Sequence, residues 1–204
     1  MTAAHRSVNE SKAGRAGAGR NRLRIIGGEW RSRIVRFPDS AGLRPTPDRV
    51  RETLFNWLGQ RLTGLAAVDL FAGSGALGFE ARSRGAGRVV LVERDRAVCE
   101  HLRRSAAELA MDGVEVAQAD ALAWLARGGE RFDLAFVDPP YASGLAGPVL
   151  AALEGRLNPG ARVYVEAPGA VEAPSARWQR LREGAAGAAR YALYEFEGAG
   201  EPAN

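Results

Sequence analysis

Short apolar runs alternate with helical patterns over most of the chain. Four such runs end near residues 71, 93, 119 and 138, and a segment with helical periodicity follows each of them. Strands that are apolar on both faces and are joined by helices are typical of a parallel sheet with helices on both sides. A fifth strand is predicted over residues 162–166, after the turn Asn158-Pro159-Gly160. We therefore predict an α/β fold with a mostly parallel sheet.

The C-terminal region has a different pattern, in which apolar and polar residues alternate. Alternation covers residues 178–182 and 191–197, and the glycine-rich stretch 183–187 between them is predicted to be a loop. This pattern indicates a pair of strands joined as a hairpin. The sheet is therefore expected to end with an antiparallel C-terminal strand.

The first 45 residues differ in composition from the rest of the chain. Residues 1–20 are rich in Ala, Gly, Ser and Arg, so burial cannot offset the entropy of ordering them, and we expect a disordered basic tail. Residues 23–26 and 33–37, separated by a turn at Gly27-Gly28, predict a β-hairpin. We divide the chain into this tail, a hairpin extension over residues 21–45 and a domain over residues 46–198.

A helix is predicted to start at Thr46-Pro47, because Thr46 can cap it and proline is tolerated at the first helical position. Its apolar positions are spaced for one helix face. They are Val50, Leu54, Trp57 and Leu58. Such a stripe indicates a face that packs on the core.

Composition narrows the class of protein. The chain has 204 residues, 46% of them hydrophobic, which suits one α/β domain with a small appendage. No stretch approaches the ~18 apolar residues that span a bilayer, and the N-terminus lacks the apolar part of a secretory signal, so we expect a soluble, cytoplasmic protein. With Cys99 as the single cysteine and only two histidines, neither a disulfide nor a metal site is expected. Nothing in the sequence requires a dimer, and a monomer is expected.

Positive charge is concentrated near the N-terminus. Residues 1–51 carry twelve basic and four acidic side chains, although the formal net charge of the whole chain is only +4. Such a field suits the binding of RNA phosphates, and the alternative is a solvated basic face. We favour RNA contact, because the basic residues alternate through both predicted strands of the hairpin. The candidate RNA-binding residues are Arg22, Arg24, Arg31, Arg33 and Arg36.

A glycine-rich turn follows the first apolar run. Residues 73–78 read GSGALG, and the next apolar run ends on Glu93, 20 residues after Gly73. A G-x-G-x-x-G turn followed at this distance by an acidic residue matches the dinucleotide fingerprint, in which the acid accepts hydrogen bonds from ribose hydroxyls. The spacing therefore predicts a cofactor that contains adenosine.

Charge favours one such cofactor over another. A nicotinamide cofactor would place a pyrophosphate at the glycine turn, where the carboxylate of Asp69 would repel it. S-adenosylmethionine instead carries an ammonium and a sulfonium, both of which suit a nearby carboxylate. Asp69 has a second interpretation, in which it points into the sheet and takes a buried hydrogen bond.

Two further strand ends carry candidate chemistry. Asp120 follows the third run and could accept from an adenine amino group, cap the next helix, or do both. The fourth run ends in Asp138-Pro139-Pro140-Tyr141, where prolines without N–H donors leave carbonyls and a carboxylate as acceptors. A nucleobase amino group supplies matching donors, and the tyrosine ring offers stacking worth ~1–3 kcal/mol. The alternative is a strand end with a proline turn and a capping aspartate.

These motifs, in this order along the chain, resemble those of class I S-adenosylmethionine-dependent methyltransferases that act on exocyclic amino groups. Residues 24–31 (RIIGGEWR) and 42–58 (GLRPTPDRVRETLFNWL) narrow the resemblance to the RsmD family. The resemblance covers about residues 23–196. It implies a Rossmann-like methyltransferase fold with a seven-stranded sheet, in which residues 44–56 lie over the cofactor.

The resemblance also implies an activity. Members of the family methylate a guanine N2 in the small-subunit ribosomal RNA of bacteria, which would be guanine 966 of the 16S rRNA here, in the small ribosomal subunit or its assembly intermediate. The implied catalytic residues are Asp138, Pro139, Pro140 and Tyr141. The implied positions for S-adenosyl-L-methionine are Arg44, Thr46, Asp69, Phe71, Gly73, Ser74, Gly75, Glu93, Arg94, Asp120 and Ala121.

Three other functions stay open at this point. A DNA or RNA adenine-N6 or cytosine-N4 methyltransferase shares the proline tetrapeptide, and residues 44–58 tell against it. A non-enzymatic RNA-binding module would need neither the glycine turn nor the acidic residue after it. A nicotinamide oxidoreductase is the least favoured, since no catalytic Tyr/Lys pair accompanies the glycines.

Overall fold

The computed structural model describes residues 22–37, 46–141 and 143–198. The expected tail over residues 1–20 and Arg44 lie outside these described residues. In chain order the strands and helices are β1 Arg22–Arg24, β2 Ile34–Arg36, α1 Asp48–Leu58, β3 Ala66–Asp69, α2 Ala76–Ser83, β4 Arg88–Glu93, α3 Arg96–Glu108, β5 Val114–Gln118, α4 Ala121–Ala126, β6 Phe132–Val137, α5 Ala146–Leu153, β7 Leu157–Ala167, β8 Trp178–Ala186 and β9 Ala189–Phe196.

Seven strands form one sheet in the order β5-β4-β3-β6-β7-β9-β8. Neighbouring strands from β5 to β7 are parallel, and β9 lies antiparallel between β7 and β8. The prediction of a mostly parallel seven-stranded sheet with an antiparallel C-terminal strand is confirmed. Its parallel strands are apolar on both faces because helices cover both.

Each face of the sheet has its own core. Leu54 and Phe55 of α1 pack with Phe79 of α2 and Leu102 of α3 on one face, and the β1–β2 hairpin joins this cluster. Residues of α4 and α5, such as Leu150, pack on the other face. Within the described segments, no helix is long and apolar enough to cross a membrane.

The hairpin places its arginines as predicted. Leu23 pairs with Val35, and both side chains are buried. The arginines on either side of this pair are exposed on the opposite face, because side chains alternate along a strand. They are Arg22, Arg24 and Arg36.

Two boundaries in the C-terminal half differ from prediction. The segment Asn158-Pro159-Gly160 is not a turn before β7 but an irregularity within it, where the register shifts against β6. The predicted loop over residues 183–187 is wrong as well, because β8 continues to Ala186 and pairs with β9. A Cβ on Gly184 would lie 2.6 Å from the ring of Tyr191, so this glycine makes room for a cross-strand aromatic instead of breaking the strand.

The start of α1 also differs. Its N-cap is Pro47, and no side chain caps the helix. Thr46 therefore does not cap α1 as predicted. Its buried hydroxyl instead donates to the Asp138 carboxylate, at 3.4 Å, across the top of the sheet.

Candidate active site

The strand order creates a crevice between β3 and β6. The chain runs from β3 outward to β4 and β5, and then returns to add β6 on the other side of β3. Connections therefore leave the carboxyl ends of β3 and β6 in opposite directions, which opens a ligand site between them. The glycine turn follows β3 and the proline tetrapeptide follows β6, so the topology places these two motifs side by side.

The glycine turn joins β3 to α2 through left-handed backbone. Gly73 has a φ of 48° and Gly75, the N-cap of α2, has a φ of 80°. Side chains rarely adopt this conformation, which explains glycine at both positions. Gly78 has another role, since a Cβ there would lie 2.1 Å from a methyl of Leu91. It allows α2 to pack closely on β4, as the third glycine of the fingerprint does.

Asp69 is buried at the carboxyl end of β3. Its Oδ1 accepts a hydrogen bond from the N–H of Phe71 at 3.4 Å. This contact corresponds to the second interpretation given in the sequence analysis, in which Asp69 takes a buried hydrogen bond. Burial raises the pKa of Asp69 to about 7, and the charge of Glu93 adds to the rise. The carboxyl group therefore lies at the start of the glycine turn in an environment that lacks solvent.

Glu93 fixes the glycine turn to the neighbouring strand. One carboxylate oxygen accepts the N–H of Gly73 at 3.1 Å and the other accepts the N–H of Asp95 at 2.9 Å. The sequence pattern thus corresponds to a real contact between the turn and the acidic residue that ends β4. Phe71 is half-buried, Ser74 is buried and Arg94 is exposed.

Asp120 follows β5, two strands from β3. It is exposed, and its carboxylate accepts the N–H of Ala123 at 3.1 Å, which confirms the predicted cap of α4. Ala121, the first residue of that helix, is buried. Because strands are about 4.8 Å apart, Glu93 and Asp120 mark successive steps along one sheet edge leading away from the crevice.

The tetrapeptide presents one half-buried functional side chain, Asp138, and one exposed one, Tyr141. Burial raises the pKa of Asp138 to about 7, and the charges of Glu166 and Asp69 add to the rise, whereas the hydrogen bond from Thr46 opposes it. Pro139 is buried and Pro140 is exposed. Tyr141 is 58% exposed and, with Ile34, is one of two exposed large apolar side chains among the described residues, so its ring is accessible for stacking.

Glu166 is a site residue that the sequence did not single out. It follows the core of β7, and the hydroxyl of Tyr164 donates to it at 3.0 Å. Burial raises the pKa of Glu166 and also that of Tyr164. The signal was available, because a glutamate at the end of an apolar parallel strand lies at the same sheet edge as Asp138.

Three carboxylates therefore share one face of the sheet at this edge. Ala67 and Phe136 belong to the core under α1, α2 and α3, and side chains alternate along strands. Asp69 and Asp138, each two positions further along, point to that face, as Glu166 does beside Tyr164. In the part of the chain that the structure describes, none of the three forms a salt bridge. A ligand with positive charge fits this environment.

A buried ion network, also missed from the sequence, connects the hairpin to α2. Glu80 is fully buried and accepts the N–H groups of Ile26 and Gly27, both at 2.8 Å. Arg84 donates to the same carboxylate at 2.9 Å, and Arg51 lies 3.4 Å from it. The signal in the sequence is a single acidic residue among the apolar positions of α2.

Further contacts fix the turn of the hairpin. The Ser83 hydroxyl donates to the carbonyl of Gly27 at 2.5 Å and accepts the N–H of Trp30 at 3.0 Å. The Trp30 ring N–H donates to the Leu109 carbonyl at the end of α3. A Cβ on Gly28 would lie 1.7 Å from the Ser83 carbonyl, so the backbones touch there. The hairpin is held rigidly against the helix that begins at the glycine turn.

The exposed surface of the hairpin is basic with one apolar residue. All five candidate RNA-binding arginines are exposed. Ile34 lies among them and is 47% exposed. The arrangement suits phosphate contacts around an apolar contact to ribose or base.

Comparison with known proteins agrees with this geometry. A family model described as "Conserved hypothetical protein 95" matches residues 23–195. The Escherichia coli protein named Ribosomal RNA small subunit methyltransferase D is 45% identical over 188 residues, which cover 90% of this chain and 95% of that protein. The solved structure of Escherichia coli yhhF has a TM-score of 0.80 and 44% identity, and the match covers 87% of this chain and 99% of that one.

A more distant structure shares the fold. The Thermus thermophilus 16S rRNA N2 G1207 methyltransferase RsmC, solved in complex with AdoMet and guanosine, is 24% identical with a TM-score of 0.61. That match covers 87% of this chain and 49% of RsmC. At this identity the likeness establishes a common fold.

Proposed function

Because this chain belongs to the ribosomal RNA small subunit methyltransferase D family, and is therefore a methyltransferase, we propose that it transfers a methyl group from S-adenosylmethionine to the exocyclic N2 of a guanine in small-subunit ribosomal RNA. On the family resemblance that guanine is number 966 of the 16S rRNA. The reaction takes place in the cytoplasm, where the small subunit is assembled.

The observation that carries the proposal is the carboxylate cluster at the β3–β6 crevice, in which Asp69 is buried and Asp138 is half-buried. Asp69 and Asp138 both have a raised pKa, and no salt bridge within the described residues neutralises them. When bound, S-adenosylmethionine supplies a methyl group on a positively charged sulfur, together with an ammonium group. The cluster thus fits the cofactor by charge and lies beside a motif that accepts amino hydrogens.

The roles of the remaining cofactor positions follow from their places along the sheet edge. Glu93 accepts ribose hydroxyls, and Asp120 at the next strand end accepts the adenine amino group. Gly73, Ser74 and Gly75 leave the backbone of the turn open to close approach. The other cofactor positions are Arg44, Thr46, Phe71, Arg94 and Ala121.

Asp138 acts on the nucleophile. The N2 lone pair of guanine is delocalised into the ring, which makes the amino group a poor nucleophile. By accepting one N2 hydrogen while a neighbouring backbone carbonyl accepts the other, Asp138 favours a pyramidal nitrogen whose lone pair is available for in-line attack. No covalent enzyme intermediate is needed. Orientation of the two reactants is the largest contribution, about 7–11 kcal/mol in well-oriented systems.

Asp138 is also the natural acceptor of the proton that N2 loses after methyl transfer. Because the pKa of Asp138 is about 7, both of its protonation states are accessible near neutral pH. The ionised carboxylate accepts the hydrogen bond from N2, and the neutral acid forms when it takes up the proton. Thr46 holds one carboxylate oxygen and so restricts rotation of the side chain. Tyr141 stacks on the guanine, which must leave its RNA helix because a paired base hides the reacting edge.

The chemistry is tested by replacing Asp138. For Asp138→Ala we expect methyl transfer to fall by roughly 100- to 10,000-fold, as for loss of a general base. Calorimetry should still detect S-adenosylmethionine binding, weakened only by the loss of one carboxylate of the cluster. Asp112→Ala, which removes an exposed carboxylate remote from the crevice, is the control and should retain activity. Substrate is small-subunit RNA or subunits from a strain that lacks the gene, with mass analysis of the modified nucleoside. Full activity of Asp138→Ala would contradict the proposed role.

The RNA surface is tested by its salt dependence. Replacing Arg22, Arg24 and Arg36 together by glutamine should weaken RNA binding and lower the slope of log affinity against log salt by about one for each lost phosphate contact. Arg127→Gln, at the exposed residue that follows α4, is the control. An unchanged slope in the triple variant would place the RNA elsewhere.

A further inference from the structure

The proline tetrapeptide leaves one guanine donor without an acceptor. The edge of guanine that carries N2 presents three hydrogens, two on N2 and one on N1. Asp138 and one backbone carbonyl serve the two N2 hydrogens, so the N1–H needs a third acceptor. A buried donor without a partner loses its hydrogen bond to water, which weakens binding.

Glu166 lies where this acceptor is needed. Val137 of β6 pairs with Val165 of β7, so Asp138 and Glu166 occupy the next position on adjacent parallel strands. Phe136 pairs with Tyr164, and both belong to the core under α1. Asp138 and Glu166, two residues beyond them, therefore project to the same face. Adjacent strands are about 4.8 Å apart, a spacing that neighbouring donors on one base edge can bridge.

The Glu166 side chain is prepared to accept. The Tyr164 hydroxyl donates to its Oε2 at 3.0 Å, which fixes one oxygen and leaves Oε1 for a ligand. The residue is half-buried, so a base can reach it but bulk water competes weakly. The charge of Glu166 contributes to the raised pKa of Asp138, which agrees with the proximity of the two carboxyl groups.

We propose that Glu166 selects guanine by accepting its N1–H beside Asp138. This inference rests on the proposed function and adds the residue that determines base specificity. Adenine and 2-aminopurine have a lone pair at N1 in place of the hydrogen, which would face the Glu166 carboxylate and be repelled. Sites that hydrogen-bond a substrate N–H reject analogues that lack it far more strongly than apolar sites reject a change of size.

The test compares guanine with 2-aminopurine at the target position. 2-Aminopurine retains the amino group that Asp138 binds but lacks the N1 hydrogen. Small-subunit RNA that carries either base at the target position is prepared by ligation. It is tested either as free RNA or in reconstituted subunits, depending on which of the two the wild-type protein methylates. For wild type we expect kcat/KM to favour guanine by about 10,000-fold, as for other sites in which the analogue leaves a hydrogen-bonding group of the protein unpaired. In Glu166→Gln the amide can accept from guanine N1 or donate to 2-aminopurine N1, so the preference should fall below about tenfold.

The controls separate this proposal from the proposed function. Glu172→Gln removes an exposed carboxylate from the segment that follows β7 and should keep the wild-type preference. If wild type forms no N2-methylguanosine, the proposed function fails. If wild type forms N2-methylguanosine but methylates 2-aminopurine equally well, only the assignment of Glu166 is overturned. This comparison uses the wild-type protein alone and so does not depend on whether a variant folds. An unchanged preference in Glu166→Gln would overturn it as well.

Discussion

The Glu80 network predicts an unusually large effect from the loss of one charge. Glu80 and Arg51 are fully buried, and the carboxylate is the common acceptor for two guanidinium groups and two backbone N–H groups of the hairpin. In Glu80→Gln the side chain keeps its shape, but one oxygen becomes a donor that faces other donors. Removal of one charge from a buried pair typically costs about 3–5 kcal/mol, because the remaining charge stays buried without compensation. Buried Arg84 would be left in this state, whereas Arg51 keeps its salt bridge to Asp48 at 2.7 Å.

Urea denaturation followed by circular dichroism measures this cost, with equal m-values required for the comparison. Glu115→Gln is a matched control, because Glu115 accepts two hydrogen bonds from Arg88 at 2.8 Å but is 58% exposed. An exposed pair contributes about 0–1 kcal/mol. A loss below about 1 kcal/mol in Glu80→Gln, equal to that of Glu115→Gln, would refute the reasoning that burial makes this network important.

Three further predictions concern the crevice. Gly78→Ala should destabilise the protein by about 1–3 kcal/mol in the same urea experiment, because the added methyl group overpacks against β4. Gly155→Ala is the control and should be nearly neutral, since no atom lies within 4 Å of its added Cβ. The affinity for S-adenosylmethionine should rise about eightfold from pH 6 to pH 7.5 for each carboxyl that loses a proton on binding. The reason is that Asp69 and Asp138, with pKa values of about 7, are mostly protonated at the lower pH. Calorimetry that shows no proton release on binding would contradict this. Tyr141→Ala should lower kcat/KM for RNA by roughly 5- to 150-fold and Tyr141→Phe should not, while cofactor binding stays unchanged in both.

Much of the fold was predictable because local patterns and tertiary structure agree. Apolar runs became the parallel strands, and the glycine turn, Glu93 and Asp138 came to one edge because parallel strands all end there. The hairpin arginines share a face because side chains alternate along each strand. These features depend on spacing within a few residues, which a sequence displays directly.

The parts that could not be predicted depend on contacts between distant residues. Thr46 has the sequence context of a helix cap, yet its hydroxyl bonds Asp138, 92 residues away. Gly184 lies in a stretch whose composition is typical of a loop, yet it belongs to a strand, where the ring of Tyr191 occupies the space above it. Glu166 resembles any polar residue at a strand end until the β6–β7 register places it beside Asp138.

Helix α2 links the two halves of the proposed reaction. Its N-cap, Gly75, lies in the turn proposed to hold the cofactor. Glu80, less than two turns later, holds the backbone of the hairpin proposed to bind the RNA. A helix this short behaves as a rigid body, so the distance between the two binding surfaces is set by its length and not by a flexible linker. Replacing a buried ion pair by apolar residues is often neutral or stabilising, but an apolar side chain at position 80 would leave both hairpin N–H groups without their acceptor. The network therefore contributes orientation of the RNA surface relative to the crevice, which is the quantity on which methyl transfer between two bound molecules depends.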